Sequence, residues 1–144
     1  MNEDIYGIKK WGSDILEILE NGNIGLKNPF QPDNLPTDLI KIIKSLNERG
    51  ISCPVLLRVT DYLAFRIKQI NNSFFEAIKE IGYKGDYKGV FPVKVNQQAQ
   101  VIDRIVEFGK EFDFGLEVGS KPELLIALAH DLSTNSTIIC NGIK

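Results

Sequence analysis

Lys94 stands near the end of an apolar run, Val90-Phe91-Pro92-Val93-Lys94-Val95-Asn96-Gln97. Alternation along a strand puts Val90, Pro92 and Lys94 on one face and Phe91, Val93 and Val95 on the other. The all-apolar face suits packing under helices. Lys94 then points the opposite way, near the C-terminal end of its strand, where sites form in barrels and open α/β sheets. A partly desolvated lysine amine is neutral at working pH and attacks aldehydes to give a Schiff base. From this stretch alone, a lysine snorkelling from a strand end into water is the commoner reading. Pro92 also sits awkwardly in a central strand, because it brings no ladder donor.

A second candidate is Glu117, in Phe114-Gly115-Leu116-Glu117-Val118-Gly119-Ser120-Lys121. Here alternation sets Asp113, Gly115 and Glu117 against Phe114, Leu116 and Val118. In a parallel sheet Glu117 lies beside Lys94, and a carboxylate there keeps an amine cationic and orients it. An ordinary strand-end glutamate is about equally compatible with the pattern. Asn141-Gly142 after Cys140 is a third, weaker candidate, read mainly as a strand-ending turn. His130 closes a helix, where a cation complements the dipole, and is read as structural. Cys53 and Cys140 match no metal-ligand spacing and are expected to be free thiols.

The elements that would position these residues follow from hydrophobic period. Two short apolar runs at 15–19 and 24–26 flank Glu20-Asn21-Gly22-Asn23, a hairpin signal. A proline-containing loop follows at 28–35. Leu39, Ile42, Ile43 and Leu46 then recur at helical spacing, with Gly50 as the stop. An apolar run at 54–59 is read as a strand. The stripe Leu63, Ile67, Ile70, Phe74, Ala77, Ile78 and Ile81 predicts a long helix, capped by Thr60 or Asp61 and by Gly82, with the stripe in the core. Strands are predicted at 89–95, 112–118 and 137–140, with helices from about 101 to 109 and from 120 to 129. Ser120 and Glu123 form a capping-box pair, with Pro122 in the first turn.

Strands alternating with helices call for a parallel sheet covered by helices. A doubly wound sheet and a (β/α)8 barrel both fit this order. A closed barrel needs roughly 250 residues, and four strands would leave its edges open. The domains expected are a β segment and linker at 1–35 and an α/β region at 36–144.

Bulk properties narrow the function. The chain of 144 residues is 43% hydrophobic and 25% charged, enough for a core, and its net charge of -2 leaves no basic footprint for nucleic acid. Residues 1–7 do not read as a signal peptide, and no apolar run spans a bilayer. No membrane partner is expected, and the cytoplasm is the simplest location. No P-loop or G-x-G-x-x-G follows a strand.

Taken together, these segments resemble the biosynthetic arginine decarboxylases. Phe91-Pro92-Val93-Lys94-Val95-Asn96-Gln97 is similar to the family's Y-P-[IV]-K-V-N-Q, with Phe91 replacing the usual tyrosine. Gly115-Leu116-Glu117-Val118-Gly119-Ser120-Lys121-Pro122-Glu123-Leu124 resembles G-L-E-x-G-S-K-x-E-L, and Cys140-Asn141-Gly142-Ile143-Lys144 resembles C-N-G-x-K. Tyr6-Gly7-Ile8-Lys9-Lys10-Trp11-Gly12 is similar to a Y-x-I-x-x-W-G opening, and Gly82-Tyr83-Lys84-Gly85-Asp86-Tyr87 also fits. The matches come in order and span nearly the whole chain.

The resemblance implies an α/β fold: a partial (β/α)8 TIM-type barrel of the alanine-racemase-like class, preceded by a short N-terminal β-hairpin segment. It implies conversion of L-arginine to agmatine and carbon dioxide, leading to putrescine and spermidine. It implies pyridoxal 5'-phosphate held by Lys94, with Glu117 as an acidic neighbour, and magnesium whose ligands are not locatable in these residues. A homo-oligomer is expected of the full-length protein. The family's phosphate-binding glycine loop, pyridine partner, guanidinium contacts and catalytic cysteine are expected beyond Lys144, so the 144-residue chain alone is expected to be inactive. Relatives acting on ornithine or diaminopimelate usually carry Y-A-V-K-x-N, from which Pro92 and Gln97 depart. A non-catalytic cofactor-binding or partner module, or an inactive fragment, is the alternative of a different class.

Overall fold

A computed structural model describes residues 5–12 and 14–142. Met1 to Asp4, part of the N-terminal stretch read above as no signal peptide, lie outside the described residues, as do Ile143 and Lys144 of the C-N-G-x-K segment. The chain divides into two compact units, Met1–Tyr62 and Leu63–Lys144. This boundary falls later than the 35/36 division drawn from sequence. The helix after Pro36 belongs with the first unit because its cap is built from that unit's hairpin.

In the first unit, α1 (Ile8–Trp11) is a short helix with Ile8 buried. The Trp11 indole N–H donates to the Tyr6 carbonyl at 2.8 Å, which closes the Y-x-I-x-x-W-G segment on itself. Strands β1 (Leu16–Ile18), β2 (Ile24–Leu26) and β3 (Thr37–Asp38) form an antiparallel sheet in that order. The turn between β1 and β2 uses Gly22 at φ +81°, with the Asn23 N–H donating to the Asn21 side chain at 3.0 Å. Gly25 is required in β2, because a Cβ there would meet Leu19 at 2.6 Å and Pro36 at 2.9 Å.

Helix α2 (Leu39–Glu48) begins where the apolar period predicted it. Asp38 caps it, accepting from the Ile40 N–H at 2.9 Å. The other Asp38 oxygen accepts from the Asn21 and Asn23 amides at 3.1 and 2.9 Å, fastening the hairpin turn to the helix start. These bonds, Asn23 foremost, hold the Asp38 carboxyl below the usual carboxylate range. Gly50, at φ +78°, ends the helix.

The run at 54–59 forms no strand. Leu56, Leu57 and Val59 are exposed, and none of the described strands pairs with the run. Apolar character suits a strand, but only a hydrogen-bonding neighbour makes one.

The second unit is built on a parallel sheet, β4 (Val90–Pro92), β5 (Gly115–Val118) and β6 (Ile138–Cys140), paired in chain order. Helix α3 (Thr60–Ile81) leads into it, α4 (Ala99–Gly109) joins β4 to β5, and α5 (Lys121–Leu128) joins β5 to β6. The core comprises Ile67 of α3, Val93, Ile102, Ile105 and Val106 of α4, Phe114, Leu116, Val118 and Ala127.

The α3 stripe is core only in part, which corrects the sequence expectation. Leu63 and Ile67 pack inward, whereas Ile70, Phe74 and Ile81 are exposed. Phe74 instead stacks on Tyr87 with ring centroids 4.0 Å apart. On the same helix Asn71 is fully buried, its amide donating to the Ile67 carbonyl at 2.8 Å. No helix among the described residues is long and apolar enough to cross a membrane.

Candidate active site

The C-terminal ends of β4, β5 and β6 carry the residues singled out by sequence. Strand β4 stops at Pro92, and residues Val93–Val95 form a 3-10 turn. Lys94 therefore sits on this turn rather than on the strand, and the alternation expected through residue 95 breaks. Val93 is fully buried, while Lys94 and Val95 are exposed. The physical reason lies in Pro92, which lacks an N–H and adopts φ -73°, so a ladder has no donor there and a turn can begin. The turn closes with the Asn96 N–H donating to the Val93 carbonyl at 3.1 Å. Asn96 then accepts from the Gln98 N–H through its side chain at 3.1 Å, just before α4.

All four residues of β5 are buried. Leu116 and Val118 belong to the core, and alternation directs Glu117 to the opposite face, as its sequence pattern predicts. Gly115 is needed where β5 meets the start of β6, since a Cβ would fall 2.0 Å from the Thr137 carbonyl oxygen. The register sets Pro92 opposite Glu117, and Glu117 opposite Ile139. Glu117 is only 8% exposed, and its Oε1 has no hydrogen-bond partner among the described residues. Buried carboxylate oxygens are ordinarily paired, so an orphaned one marks a place for a partner.

Lys94 and Glu117 thus reach the same end of neighbouring strands, without forming an ion pair with each other among the described residues. An exposed amine and a buried carboxylate with an unpartnered oxygen at one sheet end can receive a ligand that is electrophilic toward the amine and offers the carboxylate a donor.

The remaining candidates are placed differently. The Asn141 N–H continues the ladder to the Val118 carbonyl at 2.8 Å, and Gly142 takes φ +93°, as a strand-ending turn requires. Cys53 and Cys140 are free and exposed. His130 lies just past α5, with Nδ1 2.7 Å from the Ile126 carbonyl and Nε2 3.2 Å from Asp103, a structural role. Grooves of about 510 and 590 Å³ lie in the first unit around Pro36, Asp38 and Lys41, away from the lysine turn in sequence and unit. Sequence reading missed two features. The Glu117 oxygen is orphaned by tertiary packing, which no motif encodes. The carboxylate of Glu123 reaches back to Gly119, which a capping-box signal only half announces.

The chain belongs to the pyridoxal-dependent decarboxylases: residues 67–144 match their pyridoxal binding domain. More particular likenesses extend over nearly all of it. The chain is 48% identical over 139 residues to a biosynthetic arginine decarboxylase of Prochlorococcus marinus (strain MIT 9312), covering 96% of this chain and 21% of that protein. It is 46% identical over 141 residues to the biosynthetic arginine decarboxylase of Gloeobacter violaceus, covering 98% and 22%. The crystal structure of the biosynthetic arginine decarboxylase SpeA from Campylobacter jejuni superposes with a TM-score of 0.82 at 36% identity, covering 96% of this chain and 22% of that one. The chain therefore spans 21–22% of the length of these relatives.

Proposed function

We propose that this sequence is the cofactor-lysine portion of a biosynthetic arginine decarboxylase, which converts L-arginine to agmatine and carbon dioxide on the way to polyamines. The observation that carries the reading is the pairing of Lys94, on its turn at the end of β4, with the buried and orphaned Glu117 at the end of β5. It stands within a chain nearly half identical to arginine decarboxylases across its length. The parallel-sheet unit from Leu63 is read as the first part of a (β/α)8 barrel, with the antiparallel sheet before it as the N-terminal β segment.

The residues present fit the aldehyde end of pyridoxal phosphate. Lys94 offers the amine that would hold the cofactor covalently, and Glu117 offers a buried acceptor beside it. When bound, the cofactor supplies an electron sink for the pair left by departing carbon dioxide. Lys94 sits on a short turn anchored by fully buried Val93, so its amine is presented from a fixed base. Glu117, on the neighbouring strand, is the acceptor that would orient the amine. Burial of all of β5 excludes water from the carboxylate's side. Magnesium is a family-level expectation only. Among the described residues no group of three or more His, Cys, Asp and Glu is placed to hold a metal ion. A homo-oligomer in the cytoplasm completes the reading.

The test is chemical trapping. The longest natural polypeptide carrying this sequence is incubated with pyridoxal phosphate, reduced with borohydride and mapped by mass spectrometry. A pyridoxyl label on Lys94, abolished in Lys94→Ala, is the expected result. A label on other lysines with Lys94 unmodified sinks the site. Release of carbon dioxide from arginine in preference to ornithine and diaminopimelate is expected of the same protein, and the reverse preference overturns the substrate.

A further inference from the structure

Glu123 makes more contacts at the exit of β5 than a helix cap requires. The cap of α5 itself is Ser120, whose Oγ accepts from the Glu123 N–H at 3.4 Å. In a capping box the glutamate side chain returns to the N–H of the cap residue. Here Glu123 Oε2 accepts instead from the N–H of Gly119, at 2.8 Å, one residue nearer the strand. Its Oε1 accepts from the Ser120 hydroxyl at 2.9 Å. The carboxylate is 8% exposed, so both bonds are shielded from competing water.

Gly119 is two residues beyond Glu117. The Val118 carbonyl of β5 accepts from the Asn141 N–H at 2.8 Å. The Gly119 N–H belongs to the same peptide group as that carbonyl, so Asn141 and Glu123 hold the two edges of one plane where the chain leaves the sheet. A rotation of that peptide group moves the Val118 backbone and, through it, the direction of Glu117.

We propose that Glu123 is a positioning residue for the Lys94–Glu117 site, acting through the N–H of Gly119; this rests on the reading of Lys94 and Glu117 given above. A cap alone serves the helix, whereas this carboxylate serves the strand exit, and the two roles separate by mutation. Ser120→Ala removes the cap hydroxyl and leaves the Gly119 bond in place. Glu123→Gln keeps an oxygen for the Gly119 N–H and an amide donor for the Ser120 hydroxyl. Glu123→Ala removes both.

The experiment uses the longest natural polypeptide carrying this sequence and compares the three variants with the parent. The readouts are residue-resolved amide hydrogen exchange at Glu117 and Gly119 without cofactor, the pH titration of the bound-cofactor absorption band, and kcat and KM for arginine. For Glu123→Ala, exchange at both residues accelerates, the band's titration midpoint moves, and kcat falls about ten- to a hundredfold with KM little changed. Glu123→Gln recovers most of this, and Ser120→Ala lowers thermal stability without moving the band. Parent-like exchange at Glu117 in Glu123→Ala overturns the proposal, as does a band shift in Ser120→Ala equal to that of Glu123→Ala. Should the parent protein carry its cofactor on a residue other than Lys94, the functional reading fails, and the cofactor-free exchange result still decides whether Glu123 fixes Glu117.

Discussion

Lys94 and Glu117 are positioned by opposite means. Lys94 is exposed on a turn created by a proline, while Glu117 is buried in a strand whose flanking residues are core. A substitution at Glu117 that keeps its shape isolates the charge. Glu117→Gln is expected to leave the cofactor on Lys94 and to lower kcat for decarboxylation by roughly a hundredfold, the scale of a misplaced proton-handling group. Steady-state kinetics beside the borohydride label check this, and an unchanged kcat would assign Glu117 to packing alone. At this scale the sequence was informative where alternation holds. It placed Leu116 and Val118 inward and Glu117 opposite. It misplaced Lys94 on the strand itself, because the rule assumes that the strand continues past Pro92.

The elements show which sequence signals carry weight. Caps and stops were legible at Ser120 before α5 and at Gly50 and Gly82, the left-handed exits, whereas the Asp38 cap of α2 was not read. These devices depend on neighbours within a few residues. Strand β3 was not legible, since two residues, Thr37 and Asp38, become a strand only by pairing with β2. The run at 54–59 failed in the opposite sense, having strand composition but no pairing partner. Gly25 is where the hairpin is most exacting, because β2 approaches Leu19 and Pro36 too closely for a side chain. Gly25→Ala is expected to destabilise the first unit by about 1–3 kcal/mol, the usual cost of overpacking. Equilibrium urea unfolding measures it.

Across the molecule there are two units, an antiparallel hairpin sheet with its helix, and a parallel sheet that carries the lysine turn and the core from Ile67 to Ala127. The N-terminal end of the parallel sheet is joined by one acid. Asp113, at φ +51° before β5, accepts from the Ser133 hydroxyl ahead of β6 and lies 3.4 Å from the Lys88 ammonium ahead of β4. Lys88 also donates to the Asn135 carbonyl at 3.2 Å. The Ser133 bond first, then the Lys88 charge, lower the Asp113 carboxyl from its ordinary value of 3.8. A carboxyl lowered in the folded state adds stability above its unfolded value, and that stability is lost as pH falls through the folded value. Thermal melts are therefore expected to weaken below pH 3.8, with Asp113→Asn less stable at neutral pH and less sensitive to acid in that window. Equal acid sensitivity in parent and variant would remove Asp113 from this role.

The sequence by itself determined what local chemistry encodes: the motif around Lys94, the strand core at Leu116 and Val118, the helix starts, and membership of a decarboxylase family. It did so because periodicity, caps and turn residues act over a few positions along the chain. Only the tertiary structure decided which apolar runs found a strand partner and how much of the α3 stripe was covered. It also decided that Asp113 would join three strand entrances and that Glu117 would keep a buried oxygen unpaired beside the lysine turn. Those outcomes depend on hydrogen bonds and packing between residues far apart in sequence, for which a one-dimensional pattern has no term.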